Sequence, residues 1–294
     1  MEGRIAKKDP IRWLALPGIV IVALVTQIPF IATVVLSFVR WIIIRPDQGI
    51  QFVGFQNFLH VFQTKDTYVV IGNTVVIMLA SLVLCTVLGT CLAIMLNRDF
   101  PGVHIVRTLI ILPFFVMDAV AGIIWKTLIL NPSFGFNYYI SHWLGVEPID
   151  FFGSHAIITI IMLIVWQWTP FFFLIILAGF QGIPADIVES AKVDGANAWR
   201  RLISIELPSI RNHIQVAVML GLIFILKVFG IIYVTTTGGP GVLSSNLPFY
   251  AYRVAFNGWN VGNSAVLSVI SVAITLLLII WLYRFMNRRT GEAD

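Results

Sequence analysis

Six stretches of the chain are predominantly apolar, and each is about as long as the roughly 20 residues an α-helix needs to cross the hydrocarbon core of a bilayer. They run near 13–39, 69–96, 105–130, 156–180, 214–234 and 265–285. Pro17 and Pro29 inside the first predict bends, because proline removes a helix hydrogen bond and crowds the preceding turn. That first stretch is too long for a signal-peptide core, and no small-residue cleavage site follows it, so it is expected to stay as an anchor. The connection at 182–208, between the fourth and fifth stretches, is different in kind. It is polar yet carries helix signals. Pro184 and Asp186 read as a start, a fixed φ followed by a capping carboxylate. Gly195 fits the position just past a helix end. Asn197 then caps a second helix, 198–207, which Pro208 is expected to stop. The connection is thus predicted to be two short helices joined at Gly195, a shape suited to being held by something outside the membrane.

Composition fixes the class. Of 294 residues 59% are hydrophobic and 11% charged, and the mean hydropathy is +0.92. A soluble domain carries about 25% charged residues, so a soluble protein is excluded and the expectation is an all-α polytopic membrane protein. Cys85 and Cys91 are six positions apart on one predicted helix, rotated off a shared face, which argues against a disulfide.

The net charge of +5 gains meaning from its placement. Of 19 Lys and Arg, thirteen lie in the two termini and in the second and fourth connections, and four in the other connections. The positive-inside rule then puts both termini and the 182–208 connection in the cytoplasm. No basic cluster remains for nucleic acid. On the opposite side, Gly54-Phe55-Gln56-Asn57-Phe58 reads as the start of a short surface helix. The third connection is rich in aromatics, with Phe134, Phe136, Tyr138, Tyr139 and Trp143; these form either a headgroup-level belt or a docking surface for an extracytoplasmic partner. Thr237-Gly238-Gly239-Pro240 must make a turn with unusual backbone angles. The chain has no phosphate-binding loop, metal-ligand cluster or nucleophile elbow, and its five histidines are scattered, which argues against an enzyme.

Ionisable residues inside apolar runs are functional candidates because they are costly there. Lys126 is expected to snorkel to the outer interface. Asp118 and Lys227 either pair with each other or line a watery path and touch a solute. Met117 neighbours Asp118 at the same depth. In the fourth run, Gln167, Trp168 and Phe171 place rings beside an amide, which suits either ordinary helix packing or a sugar, whose C–H faces stack and whose hydroxyls need hydrogen bonds.

The spacing Glu189-Ser190-Ala191, then Gly195, then Ile205-x-Leu207-Pro208 resembles the EAA loop of ABC-importer permeases, with Ser190 where Ala is usual. Asn73-Thr74, Leu112-Pro113, Trp125, Val193-Asp194-Gly195-Ala196 and Thr237-Gly238-Gly239-Pro240 are similar to the carbohydrate branch, which includes the larger permease of maltose importers. The run from Pro113 to Met117 resembles sorbitol/mannitol-type permeases, though Asp118 stands where a proline is expected. The resemblance covers nearly the whole chain.

It implies a type I importer fold of six transmembrane helices in a single permease domain, in a bacterial inner membrane. The implied partners are a second homologous permease, two ATPase subunits beneath, and a solute-binding protein outside. It implies that the chain binds no cofactor itself, ATP and Mg belonging to the ATPase. It implies that Glu189, Ser190, Ala191, Asp194, Gly195, Leu207 and Pro208 meet that ATPase. It also implies that Gln167, Trp168, Phe171 and Phe224 face a sugar, polyol or sugar derivative; Met117, Asp118 and Lys227 join them on polarity and depth. A cationic Lys227 would suit an anionic sugar derivative. The competing class is a secondary transporter or channel acting alone, with Asp118 and Lys227 as an ion relay; such a protein has no use for a loop with ATPase-docking spacing.

Overall fold

The computed structural model describes residues 11–287. They are mostly helical. The chain runs through α1 (Ile11–Ser37), α2 (Gln56–Gln63), α3 (Lys65–Leu96), α4 (Val103–Ile111), α5 (Asp118–Ile123), α6 (Phe136–Leu144), α7 (Phe151–Ser154) and α8 (Ala156–Gln181). It continues through α9 (Ala185–Val193), α10 (Ala198–Arg201), α11 (Leu207–Ser209), α12 (Arg211–Leu226), α13 (Gly230–Val234), α14 (Leu247–Phe256) and α15 (Val261–Asn287).

Among the described residues, five segments are long and apolar enough to cross a membrane, namely Leu16–Ser37, Lys65–Leu96, Ala156–Gln181, Arg211–Val234 and Val261–Arg284. A sixth crossing is made only if Val103–Phe115 and Asp118–Ile129 count together, and these are bent by 97° to each other. The run expected as one helix over 105–130 is therefore broken. Pro113 tightens the chain into a 3-10 turn over Leu112–Phe115, Val116 and Met117 are extended (ψ 130° and 141°), and the helix restarts at Asp118. The fifth run, expected over 214–234, is interrupted too. Lys227 ends α12, and α13 begins at Gly230. Lys227 is therefore a helix-end residue, not a mid-helix one. The carbonyl freed at this second break is not left bare, since the buried Asn246 donates from Nδ2 to Val228 O at 2.6 Å.

The chain forms two compact units. One runs up to Gln63 and includes Ala251–Ile270. In it a two-stranded ribbon, β1 (Val39–Arg40) antiparallel to β2 (Gln51–Phe52), leads into α2. The buried Asn57 of α2 donates to Ser37 O at 3.0 Å and Val39 O at 2.9 Å. Phe38, Phe55 and Phe58 close a triangle of rings 5.2–5.7 Å apart.

The other unit, Thr64–Tyr250 with the stretch from Ser271 on, holds the larger core. Here α3, α8 and α12 pack against one another. Phe172 is fully buried at the junction, and a side chain at Gly89 of α3 or Gly221 of α12 would collide with it. Small residues facing a large ring are how apolar helices approach closely when no water drives them together. Ile160, Leu163, Ile164, Phe173 and Ile176 fill the rest of that seam with no exposed surface.

A polar latch fastens the 236–247 connection to α3. Asn73 Nδ2 donates to Val242 O (3.0 Å), Leu243 O (2.9 Å) and Ser245 O (3.3 Å), and Leu247 N–H donates to Thr74 Oγ1 at 2.9 Å. The connection turns through positive φ at Thr237, Gly238 and Gly241, and a side chain at Gly238 would strike Ser245 Oγ and Phe249. An Asn73→Leu substitution strands these carbonyls. It is expected to cost about 1–3 kcal/mol and to lower the thermal midpoint of the purified protein in detergent; an unchanged midpoint would show that the latch is not structural.

Candidate translocation and coupling sites

The break in the third span and the middle of α8 build one site between them. Gln167, only 3% exposed, spends both amide hydrogens on the break, donating to Val116 O at 2.6 Å and to Asp118 Oδ1 at 3.0 Å. The extended Val116 frees a carbonyl that no helix can use, and Gln167 satisfies it. Around this knot stand four rings. Trp168 stacks on Phe224 (centroids 5.2 Å, 19°), Phe114 stacks on Phe171 (5.7 Å, 27°), and Phe171 meets Phe224 edge-on at 5.7 Å. Trp168 Nε1 and Gln167 Oε1 are buried and have no hydrogen-bond partner.

Of the residues expected at the solute path, Asp118, Gln167, Trp168, Phe171 and Phe224 fall into this one cluster. Met117 is beside it and 72% exposed. Lys227 is exposed, with its ammonium 4.8 Å from the Phe224 ring centroid, a cation–π distance. The alternative in which Asp118 and Lys227 form an ion pair is corrected. No carboxylate–ammonium contact within 4.0 Å joins them, because Asp118 is turned to Gln167 and Lys227 to the ring. Lys126 is half-buried and has a backbone partner. Its Nζ donates to Val234 O at 3.1 Å, at the end of α13, where carbonyls lack helix partners and the dipole favours a cation. Phe114 and the Val116 carbonyl belong to the site and were not expected there; the signal was Pro113, which marks where an apolar run ceases to be a regular helix.

The cytoplasm-assigned connection is helix, turn, helix. Helix α9 ends at Asp194, and Gly195 takes φ +76°. Gly195 N–H donates to Lys192 O (3.1 Å) and Ala196 N–H to Ala191 O (3.0 Å), the paired bonds of a Schellman ending. Asn197 accepts from Arg200 N–H at 2.8 Å and caps α10. Two details differ from expectation. Asp186 makes no capping bond; Pro184 occupies the cap position, and Asp186 lies in the first turn, where its charge favours the helix dipole. Pro208 does not stop the second helix. The chain widens into a π turn over Leu202–Glu206 and continues through α11, so the absent proline N–H and the crowding by its ring are absorbed upstream. Ala191 is buried, Leu207 is half-buried, and Pro208 is exposed. Glu189, Ser190 and Asp194 are exposed and share a shallow concavity with Asp186 and Val193. Arg201 Nε meets Glu206 Oε1 at 2.7 Å, bracing α10 against the turn that follows it.

The family model for the binding-protein-dependent transport system inner membrane component matches residues 86–292. The chain belongs to that family. This permease is 33% identical over 92% of its length to the "Probable ABC transporter permease protein y4oQ" of Sinorhizobium fredii, covering 88% of that protein. It is 34% identical over 91% of its length to the trehalose/maltose transport system permease protein MalF of Thermococcus litoralis, covering 88% of it. Its fold superposes with a TM-score of 0.80, at 24% identity, on a chain of a bacterial alginate ABC transporter solved with an alginate pentasaccharide-bound periplasmic protein. That match spans 95% of the permease and 94% of the other chain. The permease has the all-helical architecture of type I importers and is a transport subunit seated in a membrane.

Proposed function

We propose that this permease is one of a pair of homologous membrane subunits, that ATPase subunits drive it from the cytoplasmic side, and that it passes a sugar, polyol or sugar derivative handed over by a solute-binding protein outside. In this reading both termini and the 182–208 connection face the cytoplasm, and ATP and magnesium are held by the ATPase. The observation that carries the proposal is the exposed acidic face of α9, held rigid at one end by the Gly195 turn and at the other by Pro184. A short, stiff, exposed helix is a handle; when ATPase subunits close beneath it, it moves the spans as a body, as alternating access requires. The aromatic cluster supports a carbohydrate, since the half-buried rings of Trp168, Phe171 and Phe224 gather beside the Asp118 carboxylate, the mix of apolar and hydrogen-bonding surface a sugar requires.

The test is affinity purification of the tagged permease from its own membranes. A second permease and an ATPase are expected to remain bound in gentle detergent, and the Glu189→Lys variant should retain the second permease while losing the ATPase. Recovery of the permease alone from wild-type membranes would contradict the proposal.

A further inference from the structure

Given the importer reading just proposed, the geometry at the broken span also speaks to the charge of the solute. We infer that Asp118 is a specificity-determining residue that favours an uncharged, hydroxyl-rich solute and rejects anionic sugar derivatives. Both N–H groups of Gln167 are spent on Val116 O and Asp118 Oδ1. What this knot still has to offer is an acceptor: the half-buried carboxylate, bonded once by that amide. A sugar hydroxyl can donate to it. A phosphate, sulfonate or carboxylate brings acceptors only and adds a like charge.

Lys227 could offset this, but the two charges are held differently. Asp118 is fixed: Gln167 bonds its side chain, and Gly230 packs so closely that a Cβ there would come within 2.8 Å of Asp118 Cβ. Lys227 is exposed on a four-carbon stem, with its ammonium resting over Phe224. Asp118 is thus the charge held in place at the knot, whereas Lys227 is carried on a flexible stem beside it.

The experiment uses the complete transporter with its ATPase and binding protein, in proteoliposomes. It measures ATP-dependent uptake of trehalose, maltose and sorbitol against sn-glycerol 3-phosphate, glucuronate and glucose 6-phosphate. Uptake is expected within the neutral group alone, and Asp118→Asn should lower it about tenfold. In that variant the anions should become competitors, with inhibition constants at least about fivefold lower than for wild type; a merely structural lesion would lower uptake without moving that ratio. Uptake of an anion by the wild type, or Asp118→Asn uptake within twofold of wild type with unchanged anion competition, would overturn the inference while leaving the importer reading intact. No ATP-dependent uptake of any of the six would remove both.

Discussion

Replacing Gly195 with proline is expected to abolish ATP-driven uptake, by at least about a hundredfold, while leaving the permease folded in its membrane. Gly195 holds φ at +76°, and proline is locked near −65°. The same substitution deletes the N–H that bonds Lys192 O and disturbs the neighbouring bond from Ala196 to Ala191. The turn that sets the angle between α9 and α10 would be rebuilt at a cost of ~3 kcal/mol or more, which is about two decades in an equilibrium. Nothing lies within 4 Å of the position a side chain would take, so the damage stays in the connection and out of the core around Phe172. Gly195→Ala separates the two effects. It keeps the N–H but carries the left-handed penalty of roughly 1–2 kcal/mol, and intermediate uptake is expected. Uptake is read in proteoliposomes, and retention in the membrane by carbonate extraction. Normal uptake by Gly195→Pro would show that the α9–α10 angle is not used.

Glu189→Lys is the second large effect expected. Glu189 is exposed on the concave face of α9 with Asp186, Ser190 and Asp194, so its reversal touches no packing of the permease itself. Losing one partner of a desolvated charge contact costs 2–5 kcal/mol; reversal should therefore reduce coupled uptake at least about 30-fold, and Glu189→Gln should do so less. The thermal midpoint of the isolated permease should not move. A fall in that midpoint matching the fall in uptake would instead place Glu189 in the fold.

How much of this was legible in the sequence depended on whether the signal was local. The spans could be seen because a continuous apolar run of about 20 residues has few other uses. Gly195 and Asn197 could be placed at helix ends because their chemistry acts on backbone atoms no more than five residues away. The break at Val116–Met117 could not be seen, since an apolar stretch reads alike whether helical or extended; only Pro113 hinted at it. Its stabiliser, Gln167, is 51 residues away from Val116, and the partners of Asn73 lie about 170 residues on. The partners of Lys126 and Asp118 were out of reach for the same reason: the carbonyl of Val234 and the amide of Gln167 become their partners only once separate spans are packed. Proline at 208 was read as a stop because its missing N–H is a local fact, whereas the π turn that accommodates it spans Leu202–Glu206.

The claim that energy enters through the α9–Gly195–α10 connection is tested most directly by comparing two sets of vesicles. One holds the purified permease alone. The other holds it with its partner permease and ATPase, with the binding protein added outside and ATP inside. Solute should accumulate only in the second set, only with hydrolysable ATP, and not when Gly195→Pro replaces the wild type. Accumulation by the permease alone, driven by an ion gradient and indifferent to Gly195, would contradict it.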